Sequence, residues 1–318
     1  MQKCANSEVQ RKLTGSKFIN IFVTLLMATV LALSAISLTS CSGSGSDAPA
    51  QTGPLHLASL SGENVTGNSY AKVDMSETSK GYVGVKYLGN SSKVKLQIKC
   101  SGQTYTYDID KIDEYMIFPF SCGDGTYSLE VYENVSGNQY AMVYACSISV
   151  SLEDENLPFL YPNTYVYYSS EKDSVVSLTG KVISGDETQL EIVQDVYDYA
   201  VKKIDYDYEM AASVSSGYVP DLDQVIDRGK GICFDYASLM TAMLRISNIP
   251  TKLVIGYRGN DYHAWISVYI SDIGWVDNVI EFDGKDWTLM DPATVSSGGS
   301  AAADYVEHQD KYHALYFY

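Results

Sequence analysis

The sequence predicts an α+β protein: an N-terminal β-sandwich followed by a second domain in which helices pack on an antiparallel sheet. Three observations lead there. Between about Tyr70 and Leu152 apolar residues recur at every second position, separated by clusters of turn residues. After Ser184-Gly185-Asp186 the spacing becomes helical, at Leu190, Val193, Tyr197, Ala200, Val201 and Ile204. Beyond Pro250 it returns to extended apolar runs. The 318 residues, 46% of them hydrophobic and 12% aromatic, can fill more than one core. The 27 tyrosines against 8 phenylalanines suit strands whose rings are half buried and whose hydroxyls stay wet.

At the N-terminus, Arg11, Lys12 and Lys17 precede an uncharged, mostly apolar run from Phe18 to Leu38. A positive flank, an apolar stretch and small residues before a cut describe a secretory signal, although the run is also long enough for an uncleaved transmembrane anchor. Leu38-Thr39-Ser40-Cys41 resembles the bacterial lipoprotein signal. The resemblance implies removal of residues 1–40, diacylglycerol on Cys41 and an extracytoplasmic, membrane-tethered protein. Residues 41–54, with Ser42-Gly43-Ser44-Gly45-Ser46, have the composition of a flexible tether. The net charge of −17 excludes a nucleic-acid partner, which would need a basic face.

The sandwich is expected over residues 55–154. Val94, Leu96, Ile98 and Cys100 alternate with Lys93, Lys95, Gln97 and Lys99, so one face turns inward and the other to solvent. Tyr127-Leu129-Val131 repeats the alternation after Gly123-Asp124-Gly125, and Met142 to Val150 repeats it after Ser136-Gly137-Asn138. Cys100, Cys122 and Cys146 form an odd set. Because Cys100 and Cys146 fall in phase with the apolar faces, they are expected to be small buried hydrophobes rather than disulfide partners.

The strand pattern breaks at Leu157-Pro158 and Tyr161-Pro162, which places the second domain at residues 155–318. Ser184 or Asp186 is expected to cap its first helix. Gly231 is expected to turn the backbone just before Cys233. Ala237, Met240, Ala242 and Leu244 continue a helix until Asn248-Ile249-Pro250, so Cys233 stands at its N-terminus. There the free N–H groups and the macrodipole favour thiolate and are expected to lower the pKa. Thr251 to Tyr257 reads as a buried strand, Gly259-Asn260-Asp261 as a turn and His263 to Tyr269 as the returning strand. His263, at that strand's start, could face the helix N-terminus and take the thiol proton. Leu289-Met290-Asp291-Pro292 ends a further strand, and Asp291 could hold the imidazole in the useful tautomer. Tyr312 to Tyr318 reads as a last strand, with His313 structural. Taken singly each residue has a bland reading: a buried cysteine, a packing histidine, an Asp-Pro turn.

Together the contexts are specific. Gly231-x-Cys233-x-Asp235-Tyr236-Ala237, then NIPTKLVIGY, then His263-Ala264-Trp265, then W-x-L-M-D-P ending at Pro292, closely resemble the transglutaminase-like superfamily over about residues 190 to 295. The resemblance implies a papain-like core, with a cysteine-bearing helix on an antiparallel sheet. It makes Cys233 the nucleophile, His263 the acid and base, and Asp291 its orienting partner. Phe234 stands where animal transglutaminases favour tryptophan, and Ala293 interrupts an Asp-Pro-Thr found in relatives. Neither departure removes a reacting group, but both weaken any inference about the acyl substrate.

The expected activity is cysteine acyl transfer on amide bonds of a protein or peptide at the cell envelope. A thioester would be resolved by water, as in a peptidase or amidase, or by a lysine amine, as in cross-linking. The competing expectation is a non-catalytic surface scaffold whose triad is vestigial. An oxyanion site would use the Cys233 N–H and one upstream donor. Tyr206 and Tyr208 are candidates, but with so many tyrosines the role stays unassigned. No cofactor is expected, and His56, His263, His308 and His313 show no paired ligand spacing for a metal.

Overall fold

The computed structural model describes residues 53–183, 188–271, 273–282, 287–289 and 312–318. The expected signal segment, Cys41 and most of the tether lie outside the described residues, as do Asp291 and His308. Among the described residues no helix is long and apolar enough to cross a membrane.

The sandwich is built from β1 (Val65–Gly67), β2 (Ala71–Asp74), β3 (Tyr82–Tyr87), β4 (Val94–Cys100), β5 (Gln103–Ile109), β6 (Met116–Pro119), β7 (Gly125–Ser136) and β8 (Gln139–Val150). One sheet has the order β1-β2-β3-β6 and the other β5-β4-β7-β8, with antiparallel neighbours throughout. The period-two pattern explains which residues meet between them. Val94, Leu96 and Ile98 are buried from one side, and Val73, Val85 and Phe118 from the other. On the outer face Lys95 pairs with Asp108 at 2.5 Å across the β4–β5 register.

The cysteines depart from the sequence expectation. Cys100 and Cys122 form a disulfide, with Cα atoms 6.2 Å apart. An inward-facing position does not exclude pairing. Cys100 closes β4, and Cys122 sits in the turn after β6, so the partner came from a loop that carries no periodicity. Cys146 on β8 stays free and half-buried, opposite Leu129.

The C-terminal part carries α1 (Ser174–Val182), α2 (Gln189–Lys203), β9 (Asp205–Tyr206), α3 (Tyr208–Ser213), α4 (Leu222–Arg228), β10 (Lys230–Gly231) and α5 (Cys233–Ile246). There follow β11 (Thr251–Arg258), β12 (Asp261–Ile270), β13 (Gly274–Phe282), β14 (Trp287–Leu289) and β15 (Tyr312–Phe317). The last five strands form one antiparallel sheet in the order β14-β13-β12-β11-β15, with α5 packed on β11 and β12. This is the expected helix on an antiparallel sheet. The cap of α2 differs from expectation: it is Thr188, whose hydroxyl accepts from the Glu191 N–H at 3.3 Å. Glu191 in turn accepts from the Thr188 N–H at 2.8 Å. Ser184 and Asp186 lie outside the described residues.

Every residue of α5 from Asp235 to Arg245 is buried, which fixes it as the central helix. Its one buried cation, Arg245, donates to three carbonyls: Thr251 at 2.9 Å, Tyr161 at 2.7 Å and Tyr318 at 2.6 Å. The helix is thereby tied to the sheet, to the segment after the sandwich and to the end of β15. Tyr318 also packs edge-on against Tyr105 and Tyr107 of β5 and against Tyr165, with centroids 5.7, 5.6 and 4.8 Å away. The sandwich is therefore joined to the helical domain through an aromatic cluster.

Candidate active site

The turn that delivers Cys233 uses two glycines for different reasons. Gly229 ends α4 in the left-handed region, at φ 59°. Gly231, expected from the sequence to supply the turn, is needed for close approach instead. A Cβ there would stand 2.6 Å from the Asp235 Cβ. Asp235 is fully buried. Its carboxylate accepts from the Ile232 N–H at 2.8 Å and from the Tyr218 hydroxyl at 2.5 Å. Ile232 has no side-chain acceptor to cap the helix, so Asp235 reaching back from the third position satisfies that backbone donor. Cys233 then begins α5, half-buried and free of any disulfide.

The N–H groups of Cys233, Phe234 and Ala264 all point at the sulfur and favour thiolate. Burial nevertheless dominates, and the Cys233 thiol is pushed above its ordinary value. The sequence expectation of a lowered pKa is thus overturned. A helix N-terminus is a local property, whereas the desolvation comes from the core that the fold packs around the cysteine.

Ala264 follows His263 on β12, so its contact with the sulfur brings the start of that strand to the helix N-terminus. Within the β11–β12 pair His263 stands opposite Gly256. Its Nε2 is buried and has no hydrogen-bond partner among the described residues, so it is not bonded to the sulfur in this structure. Burial, reinforced by Arg258 and opposed by Asp261, lowers the imidazole pKa to about 4. Both the thiol and the imidazole are therefore pushed by burial toward their uncharged forms. Of the three expected catalytic residues, Cys233 and His263 are brought to one end of the domain, and Asp291 lies outside the described residues.

The structure also gives Tyr206 a place. Strand β9 pairs in parallel with β10, Tyr206 opposite Gly231, and its hydroxyl lies within hydrogen-bonding range of both the Cys233 N–H and the Cys233 sulfur. Two-residue strands have no readable period, which is why sequence spacing could not select this tyrosine over the others. Tyr208 packs on Tyr206 at 4.9 Å and is 61% exposed, so it belongs to the rim rather than to the sulfur. On the other side Phe234 meets Tyr165 at 5.5 Å and Tyr218 at 6.4 Å.

Residues 176–278 match the transglutaminase-like superfamily. No curated protein matches the sequence. Among solved structures, a candidate cysteine protease from Cytophaga hutchinsonii is 17% identical, with a TM-score of 0.36 over 74% of this chain and 83% of that one. The periplasmic domain of TgpA from Pseudomonas aeruginosa is 13% identical, with a TM-score of 0.29 over 68% of this chain and 73% of that one. A structure described as a TGase is 16% identical at a TM-score of 0.32, and 49% of its length is covered. These structural likenesses are distant, and the assignment rests on the family match and on the motifs around Cys233 and His263. Over residues 176–278 the chain is thus similar to the transglutaminase-like superfamily, and within that stretch Cys233 stands at the N-terminus of the central helix.

Proposed function

We propose that the protein is a cysteine acyl-transfer enzyme of the cell envelope that cleaves amide bonds through a thioester, tethered to the membrane by lipid on Cys41. In this reading Cys233 is the nucleophile, His263 the acid and base, and Asp291 the carboxylate that orients the imidazole. The observation that carries it is the free Cys233 thiol at the first residue of α5, bonded by the N–H of Ala264, the residue that follows His263 on β12.

Because both groups are held toward their uncharged forms, an amide carbonyl settles over the sulfur first, and the thiol proton passes to the His263 imidazole as the S–C bond forms. The oxygen that becomes negative takes hydrogen bonds from the Cys233 N–H and the Tyr206 hydroxyl. The C–N bond then breaks, and the imidazolium returns its proton to the departing amine. Water, deprotonated by the same imidazole, attacks the thioester, releasing the acid and restoring the thiol. A lysine amine in place of that water gives cross-linking by the same residues. Incubation with envelope peptides followed by mass spectrometry tests the reading. An acyl adduct on Cys233, absent from Cys233→Ala and strongly reduced in His263→Ala, is the expected result. Unmodified peptides and a Cys233 no more reactive than Cys146 would favour a scaffold.

A further inference from the structure

Beside the nucleophile turn lies a second concave feature that the acyl-transfer chemistry does not use. A cleft of about 660 Å³ opens between the end of the sandwich sheet at Asp110–Ile117 and the α3–α4 region. A chamber of about 220 Å³, walled by Leu60, Pro162 and Asn163 among others, shares Tyr115, Ile117, Tyr167 and Ser169 with it. The two adjoin along these four residues, and together they form a groove-like recess of the size that holds a ligand.

Two independent features indicate what the groove takes. Asn163, only 2% exposed, accepts from the Tyr165 and Val166 N–H groups through Oδ1, while its Nδ2 has no acceptor among the described residues. A buried amide donor in a chamber wall calls for a carbonyl oxygen. The wider cleft is lined by Asp110, Glu114, Asp173, Asp221 and Asp223 against the two cations Lys111 and Arg228, a balance of three negative charges. Asp173, Asp221 and Asp223 are engaged with Ser169 and Ser170, with the N-terminus of α4, and with Ser174. Asp110 and Glu114 have no ion pair or hydrogen bond among the described residues. Lys111 lies 4.8 Å over the Tyr167 ring, which shows that this wall accepts a cation on an aromatic face.

We propose that this groove binds an extended peptide, with a backbone carbonyl at Asn163 and an arginine or lysine side chain between Asp110 and Glu114. Tyr218 connects it to the nucleophile, because its ring lines the cleft and packs on Phe234, the residue after Cys233. The groove is thus a specificity subsite for a basic residue at some distance from the bond attacked. Its role as a substrate subsite rests on the acyl-transfer reading; the binding itself does not.

The test uses the full chain carrying Cys233→Ala, so that binding is read without turnover, and fluorescence anisotropy of dye-labelled peptides. A triarginine peptide is expected to bind at least about fivefold more tightly than its uncharged tricitrulline counterpart. Adding Asp110→Asn and Glu114→Gln, both at exposed positions, should erase that difference. Asn163→Ser, which keeps a hydroxyl acceptor for the Tyr165 and Val166 amides, should weaken both peptides by about fivefold. Equal binding of the two peptides, no binding, or indifference to the carboxylate changes overturns the proposal. Spermidine competing as well as triarginine overturns it too, because the groove would then take free polyamines. A missing acyl adduct on the unmodified Cys233 would overturn the enzymatic reading while leaving these binding results untouched.

Discussion

The Tyr218 hydroxyl donates to the Asp235 carboxylate at 2.5 Å, and the other oxygen of that carboxylate holds the Ile232 N–H at 2.8 Å. One buried acid therefore links the cleft wall to the backbone immediately before the nucleophile. Asp235→Ala leaves the Ile232 donor and the Tyr218 hydroxyl without their partner, and is expected to cost about 1–3 kcal/mol in chemical denaturation. Tyr218→Phe keeps the cap and should cost less. If Asp235→Ala unfolds at the same denaturant concentration as the parent, the cap is not held this way.

The raised pKa of the Cys233 thiol predicts its alkylation profile. Without substrate, the rate of iodoacetamide modification should climb with pH beyond the range of an ordinary thiol, since little thiolate exists near neutrality. A plateau already reached below pH 7 would show a resting ion pair instead. Quantitative mass spectrometry of the Cys233 peptide gives the profile directly.

Burial of His263 ties stability to pH. The imidazole titrates at about 4 when folded against 6.5 for the free group. Between these values the unfolded chain holds a proton that the folded one lacks. Stability is therefore full above the upper value and falls as pH drops through the window, by up to about 3 kcal/mol from this group. In His263→Gln the difference in unfolding free energy between pH 7 and pH 4.5 should shrink by much of that amount. An unchanged difference would mean that the imidazole is protonated in the fold.

Tyr206 should act on the chemical step. Tyr206→Phe removes the hydroxyl beside Cys233 and keeps the ring that Tyr208 packs on. If it stabilises the oxyanion, kcat should fall by about 100-fold with little change in KM. A change confined to KM would assign the tyrosine to substrate binding.

The disulfide between Cys100 and Cys122, 22 residues apart, closes a loop of moderate length. Replacing both with serine is expected to lower stability by about 3 kcal/mol. Reductant should have no further effect on that variant, and a parent protein equally indifferent to reductant would argue against the bond.

Which parts of this were legible in the sequence follows from what a periodic pattern encodes. Val94 to Cys100 announced a half-buried strand because alternation states which side chains turn inward. Ala237 to Leu244 announced a helix with Cys233 at its start because spacing and breakers are local. The motifs around Cys233 and His263 then identified the family before any coordinates. Asp291 was legible as a candidate only, since it lies outside the described residues.

The sequence by itself determined the half-buried strands such as Val94–Cys100, the helix from Gln189, the cysteine at the N-terminus of α5 and the strand that carries His263, all set by short-range sterics and by the inward face of each element. Only the tertiary structure decided that Cys122 pairs with Cys100, that Gly231 makes room for Asp235, that Tyr206 is the tyrosine at the sulfur, and that both Cys233 and His263 are pushed toward their uncharged forms. Each of these depends on atoms distant in the chain. Solvent exclusion and through-space contact have no period along a sequence, and here the desolvation they impose outweighs the helix dipole that the sequence displays.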